Sequence, residues 1–205
     1  MTNQTEIIKK RYDRIAPYFD RLESMMENMM FGDLRERIWQ ELSGNEILEV
    51  GVGTGKNFLN YPAEKNISAI DFSPVMIQQA HKKRELLNLK VDLIEMDVQE
   101  LKFPDNHFDS VIGTFLFCSV PDPELGLQEL KRVCKPGGKI LLLEHVLSSK
   151  PFIAVIMNAL NPVIVRLFGA NINRTTVKTV QDCGFSSVEV LPGSKHLVKL
   201  ISVIK

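Results

Sequence analysis

Glu46 to Gly55 reads E-I-L-E-V-G-V-G-T-G. A short run of β-favouring side chains breaks at once into Gly51, Gly53 and Gly55, which predicts a buried strand feeding a glycine-bent turn. Glycine at alternate positions admits positive φ and lets a ligand lie against the main chain, while the helix expected next points free N–H groups at the same spot. The turn suits a nucleotide-like ligand. Asp71 ends a second apolar run, Ile67 to Ile70, where a carboxylate can accept hydrogen bonds from both hydroxyls of a ribose.

The dinucleotide fingerprint G-x-G-x-x-G would need glycine at position 56, and this chain has Lys56. The spacing is instead G-x-G-x-G preceded by Glu49, and E-V-G-V-G-T-G resembles the first motif of the class I S-adenosylmethionine-dependent methyltransferases. The resemblance implies that Glu49 faces the ammonium of the cofactor's methionine part and that Asp71 holds its ribose. The alternative for the glycines is a turn that merely lets strand and helix pack.

Composition narrows the partners. The 205 residues are 44% hydrophobic, enough for one sizeable core, so a single domain is expected over 1–205. The 25 basic and 25 acidic residues cancel, which disfavours a nucleic-acid partner. Cys118, Cys134 and Cys183 lack C-x-x-C spacing and suit core positions in a reducing cytosol. No apolar run precedes Arg11, so neither signal peptide nor N-terminal anchor is expected. Phe152 to Ala170 is apolar but holds Asn158, Asn161, Pro162 and Arg166, and is expected to be too polar and too broken to cross a bilayer.

Upstream of the glycine strand, residues 1–45 are expected to form a helical cap. Ile7, Ile8, Tyr12, Ile15 and Phe19 make an apolar stripe that Pro17 should break near Ala16, and a second helix is expected from Met25 to Leu42. Met25, Met26, Met29 and Met30 read either as core filler or as an adaptable surface for a variable ligand or membrane. Y-D-R-I-A-P-Y-F-D and R-E-R-I-W resemble the N-terminal segment of lipid and quinone methyltransferases, which implies that Tyr12 and Tyr18 close the site. The other reading makes them packing aromatics.

Downstream, a short helix from Lys56 to Asn60 is stopped by Pro62. Ser73 and Pro74 read as N-cap and first residue of a helix running to about Asn88, whose H-K-K-R-E run is a solvated face. A third strand, Val91 to Met96, delivers Asp97 and Val98 to the edge already carrying Gly51 and Asp71, where the resemblance makes Asp97 the acceptor for the adenine amino group. Ser110 to Thr114 is the fourth strand. Thr114, Phe115, Leu116, Phe117 and Cys118 stand where amino-group methyltransferases acting on adenine or glutamine carry Asn or Asp, two prolines and an aromatic; an apolar rim suits a greasy acceptor or simply packs under the next helix. That helix is capped by Asp122 and Pro123, and its buried face is Leu127, Leu130, Val133 and Cys134; Lys135 to Gly138 then turns the chain into strand five.

K-P-G-G followed by I-L-L-L-E-H resembles the family again. His145, at the ligand-bearing end of strand five, is the candidate general base, with a plain hydrogen-bonded histidine as the alternative. A proline-interrupted helical insertion near 150–172 precedes a helix expected to be capped by Asn173 and closed by Gly184. N-P, then G-x-x-x-N-R-T-T and C-G-F, resembles bacterial phospholipid N-methyltransferases and related thiol methyltransferases; Arg174 is either a phosphate binder or a solvated first-turn residue. Strands near Val188 and from Leu197 to Ile204 complete the chain.

The expectation is therefore an α/β, three-layer, doubly wound Rossmann-like sheet, mostly parallel with an antiparallel last strand. The resemblance implies S-adenosylmethionine as cofactor, held by Tyr12, Glu49, Gly51, Gly53, Gly55, Asp71, Phe72, Met76, Asp97, Val98 and Thr114, with His145 and Tyr18 as catalytic candidates and no metal needed. The acceptor is expected to be small and hydrophobic or amphipathic: a phospholipid amine or quinol first, a lipophilic thiol next. Such a protein would be cytoplasmic with reversible peripheral membrane contact through the N-terminal segment; its oligomeric state is not set by the sequence. A nicotinamide-dependent oxidoreductase shares the strand, the glycines and Asp71, but Lys56 and Asp97 stand against it. A cofactor-binding regulator without turnover is the remaining alternative.

Overall fold

The computed structural model describes residues 4–16 and 33–205; the expectations for Tyr18, Phe19 and the four methionines Met25, Met26, Met29 and Met30 lie outside them. Helix α1 occupies residues 4–16 and α2 spans Leu34–Gln40. Strand β1 is Glu46–Val50, followed by a tight 3-10 turn, Lys56–Asn60. The alternation then runs β2 (Asn66–Asp71), α3 (Pro74–Leu86), β3 (Asp92–Glu95), β4 (Phe108–Thr114), α4 (Pro123–Val133), β5 (Cys134–His145), α5 (Pro151–Phe168), α6 (Thr176–Asp182), β6 (Ser187–Val190) and β7 (Val198–Ile204). The expected caps of α3 and α4 form: Ser73 accepts from the Met76 N–H and Asp122 from the Leu125 N–H.

The seven strands make one sheet in the order β3-β2-β1-β4-β5-β7-β6. Pairs from β3 through β5 are parallel, and β7 runs antiparallel to both its neighbours, as the sequence predicts. Side chains alternate between the two faces. Leu48 and Val50 join Ile140, Leu142, Ile201 and Val203 under α4 and α6, whereas Ile47 joins Leu141, Leu143 and Leu200 under α2 and α3. Both faces are covered, so the inner strands read as nearly continuous apolar runs.

Four local expectations change. Cys134 begins β5 instead of ending α4, and the K-P-G-G segment lies within that strand, where the β4–β5 register shifts between Phe108 and Ser110. Asn173 does not cap α6: Thr175 precedes it with no side-chain cap, and Asn173 Nδ2 instead donates to Asn158 Oδ1 at 2.9 Å. In α1, Thr5, Ile8 and Ala16 face inward while Ile7 is exposed, so the expected apolar stripe is only partly the packed face. Finally, α5 continues through Pro162 as one helix of 18 residues. By length and composition it is the one helix among the described residues long and apolar enough to cross a membrane, where the sequence reading has it too broken and too polar. The correction has a physical reason: Asn158 and Asn161 turn toward the 171–173 loop, where Asn161 Oδ1 accepts from the Ile172 N–H at 2.9 Å and its Nδ2 donates to Asn171 at 3.1 Å.

Candidate active site

Chain segments leaving the carboxyl ends of β1 to β4 converge because parallel strands deliver their successors to one edge. The turn after β1 is tied to β2: Gly51 and Val52 both donate N–H groups to the Ile70 carbonyl at 2.9 Å. Gly53, with φ +54°, donates its N–H to Asp71 Oδ2 at 2.9 Å, and the Ser73 N–H reaches Oδ1 at the same distance. Asp71 is thus held rigid. Burial pushes its carboxyl up to about 6, against the opposing pull of these N–H groups.

Two adjoining cavities open over this edge, with volumes of about 550 and 360 Å³ including space open to solvent. They share Gly51, Asp71, Phe72, Leu116 and Ser119. The larger also meets Tyr12, Arg35, Gly53, Lys56, Met76, Thr114 and Phe115; the smaller meets Thr5, Asp97 and Val98. Helix α1 forms part of the wall of both. The Tyr12 hydroxyl shares a hydrogen bond with Ser119, its ring meets Phe72 edge-on at 5.9 Å, and Asp13 accepts from Ser73 Oγ at 2.5 Å.

Most of the expected cofactor residues therefore assemble: Tyr12, Gly51, Gly53, Asp71, Phe72, Met76, Asp97, Val98 and Thr114 all line the cavities. Glu49 and Gly55 do not. Glu49 shares its sheet face with Ile47, so it points into the packed layer beneath the 3-10 turn, where Asn57 Nδ2 donates to Oε1 at 2.5 Å and the Tyr61 hydroxyl to Oε2. Burial pushes it up to about 7, opposed by those two donors. Gly55 has a local role: at φ +80°, an added Cβ would lie 2.4 Å from the Phe58 ring.

His145 lines neither cavity. It sits at the end of β5 opposite Val198, its buried Nδ1 has no hydrogen-bond partner among the described residues, and burial lowers its pKa. Its neighbour Glu144 also lines neither cavity, but it holds the loop that lines them, accepting from the Leu116 and Phe117 N–H groups at 2.9 and 3.0 Å. Arg174 donates to the Val120 carbonyl at 2.9 Å and is half-buried, so it is not a solvated first-turn residue. Sequence reasoning missed Arg35 and Ser119. Arg35 lies upstream of the motif within R-E-R-I-W, and its only sequence signal is a cation in a segment expected to cap the site.

The residues present fit S-adenosylmethionine by two tests. Among the described residues, an added Cβ at Gly53 would meet nothing within 4 Å, so none of them fills the space against that backbone. The buried acid beside it keeps acceptor capacity toward the cavity after taking its two N–H groups. The glycines separate experimentally. Gly53→Ala should cost only the left-handed strain, ~1–2 kcal/mol, yet fill the cradle; Gly55→Ala should destabilise further by displacing Phe58. Melting curves with S-adenosylhomocysteine titrations on both variants check this, and a Gly53→Ala protein that binds at full affinity would contradict the cradle.

Comparison with known proteins agrees with this geometry. Residues 48–142 match a family model described as a methyltransferase domain. The chain is 40% identical over 119 residues to a phosphatidylethanolamine N-methyltransferase of Cereibacter sphaeroides, covering 57% of this chain and 59% of that protein. It is 36% identical over 143 residues to a demethylmenaquinone methyltransferase of Thermus thermophilus, covering 65% and 63%. The aligned part thus spans about three fifths of each of these two relatives. Among solved structures, a Methanococcus maripaludis protein assigned as an S-adenosyl-L-methionine-dependent methyltransferase superposes with TM-score 0.69 at 21% identity, over 94% of this chain and 93% of that one; a likeness at that identity speaks for the fold.

Proposed function

We propose that this protein, whose residues 48–142 match a methyltransferase-domain model, transfers a methyl group from S-adenosylmethionine to an amphipathic, lipid-like acceptor at a membrane surface. When bound, S-adenosylmethionine supplies a methyl group already activated on a sulfonium. The protein's own task is then chiefly positioning, worth up to roughly 7–11 kcal/mol at its best. Asp71 would accept from the ribose hydroxyls and Asp97 from the adenine amino group. Met76, Phe72, Val98 and Leu116 supply apolar walls that exclude water. Tyr12, Phe115 and Ser119 line the larger cavity and would meet the acceptor.

The observation that carries the lipid reading is α5. Asn161 is half-buried against the 171–173 loop and Asn158, itself exposed, bonds to Asn173 of the same loop, while Phe152, Val155, Leu160, Val163 and Leu167 are exposed. This inverts the usual arrangement of a surface helix, and so large an exposed apolar face marks an interaction surface. The helix contains no acidic residue; Lys150 precedes it and Arg166 lies in its last turn. Arg11 and Arg14 of α1 donate to the Val165 and Leu167 carbonyls at 2.8 and 3.0 Å, adding cations beside the apolar face. An apolar stripe flanked by cations is complementary to an anionic bilayer surface. The same α1 carries Tyr12 into the cavity, so an acceptor leaving the bilayer meets the site directly. The named substrates of the two relatives, phosphatidylethanolamine and demethylmenaquinone, are both of this chemistry. In this reading α5 makes the membrane contact beside the N-terminal segment.

Val155→Glu with Val163→Glu tests this. Burying each valine is worth roughly 1.5–3 kcal/mol, so vesicle partitioning and transfer to vesicle-borne acceptor should fall by roughly 100-fold or more, with S-adenosylhomocysteine affinity unchanged. Full activity of the double variant on vesicles would contradict the surface.

A further inference from the structure

The segment that leaves α5 reaches back into the wall of the site. Asn161 of that helix donates through Nδ2 to Asn171 Oδ1 at 3.1 Å and accepts from the Ile172 N–H at 2.9 Å. Asn171 in turn holds the Cys118 carbonyl, through its backbone N–H at 2.7 Å and through Nδ2 at 3.1 Å. Cys118 belongs to the loop whose Leu116 and Ser119 line both cavities. Ser119 directly follows the held carbonyl, is 7% exposed, and shares its hydroxyl hydrogen bond with Tyr12. A hydrogen-bonded relay thus runs from α5 to a side chain that would meet the acceptor. The neighbouring helix–loop bond is different: Asn173 Nδ2 donates to Asn158 Oδ1 at 2.9 Å, and among the described residues neither of that pair bonds to the 115–119 loop.

Methyl transfer from an activated donor depends on placement, and a misplacement of about 1 Å at the reacting pair costs up to about 100-fold in rate. Glu144 fixes the start of the cavity loop at Leu116 and Phe117. Its far end is fixed from the segment after α5, by Asn171 at Cys118 and by Arg174 at the Val120 carbonyl. The helix from which the relay starts also carries the exposed apolar face, so the place of Ser119 is referred to the surface from which a bilayer-held acceptor would come. We propose that Asn161 and Asn171 are positioning residues for methyl transfer, setting Ser119 against the acceptor and tying its place to α5; this rests on the lipid-like acceptor proposed above.

The test is steady-state transfer of labelled methyl groups by the full chain to anionic vesicles carrying phosphatidylethanolamine or a demethylated isoprenoid quinol, beside vesicle partitioning and S-adenosylhomocysteine calorimetry. Asn171→Ala keeps the backbone bond to Cys118, so it should fold, partition and bind S-adenosylhomocysteine within about twofold of wild type. Its kcat should fall by about 10- to 100-fold with acceptor KM little changed, the split that lost positioning gives. Asn161→Ala, a substitution that a helix favours, should act in the same direction. The double variant should lose no more than Asn171→Ala alone, because both changes break one relay. Asn173→Ala, which breaks only the neighbouring bond, should keep kcat within about twofold. Unchanged kcat in Asn171→Ala overturns the assignment, as do losses that add in the double variant or an equal loss in Asn173→Ala. A loss confined to KM, or one matched by a fall in S-adenosylhomocysteine affinity, overturns it too, since either marks a role other than positioning. A wild type that transfers label to neither acceptor would instead remove the acceptor reading on which the relay's role depends.

Discussion

Asp71→Ala is expected to weaken S-adenosylhomocysteine binding by about 10- to 150-fold for each ribose bond lost. The side chain is 7% exposed and both its oxygens already hold backbone N–H groups, from Gly53 and Ser73. Alanine would therefore remove the ribose acceptor and also release the N–H that fixes the glycine turn. Asp71→Asn separates these effects, since it keeps one accepting oxygen. Because burial pushes the Asp71 carboxyl up to about 6, wild-type affinity should also fall as the pH drops below that value and the carboxyl gains a proton. Its contribution to the stability of the empty protein has the opposite sign. A folded pKa above the ordinary 3.8 means that the native state binds more protons, so this contribution rises as pH falls through the window from about 6 to 3.8. Calorimetry on both sides of pH 6, with melts of the ligand-free protein, reads both trends; an Asp71→Ala protein with unchanged affinity would remove Asp71 from the site.

Glu144→Ala is expected to be the most destabilising single change near the site. Glu144 is fully buried at the end of β5, and its Oε1 satisfies the N–H groups of Leu116 and Phe117. These donors follow Phe115, which holds φ +54° with its own N–H on the Leu143 carbonyl at 2.7 Å. Such a backbone state persists only where its surroundings enforce it. Leaving two buried donors unpaired costs about 1–3 kcal/mol each, so roughly 2–6 kcal/mol in all, and it frees the loop that lines both cavities. Glu144→Gln keeps the acceptor and should cost far less. Burial pushes this carboxyl up to about 8 from an ordinary 4.5. Between those values the folded state binds more protons than the unfolded one, so stability should fall as pH rises through the window. Glu144→Gln should flatten that slope, leaving the part owed to Glu49 and Asp71. Melting temperatures at pH 5 and 8 for wild type and both variants decide it; a pH slope equal in wild type and Glu144→Gln would show that Glu144 is not its source.

The fold was legible because its signals are local. Ser73-Pro74 and Asp122-Pro123 announce helix starts through their own caps, and the glycine run marks the end of β1 through its own backbone needs. The acids at the ends of β2 and β3 were legible for the same reason, since topology alone carries Asp71 and Asp97 to one edge. The placement of Glu49 was not legible because its motif fixes its position but not its face: strand alternation puts it with Ile47, under the 3-10 turn. Arg35 and Ser119 were missed because contacts from distant segments, Asn57, Thr114 and Tyr12, bring them to the cavity. The α5 surprise is of that kind too. Asn158 and Asn161 look like polar interruptions of an apolar run until the 171–173 loop, which folds back on the helix it follows, takes them up.

The proposed methyl transfer to a lipid-like acceptor is tested most directly by following a labelled methyl group. The wild-type protein, S-adenosylmethionine labelled in its methyl group and anionic vesicles carrying phosphatidylethanolamine or a demethylated isoprenoid quinol are incubated together, then partitioned between organic and aqueous phases. The expected result is label in the organic phase only when protein and one of these acceptors are both present. Label that stays on the donor, or that moves only to a water-soluble thiol or to nucleic acid offered in the same screen, would contradict the claim.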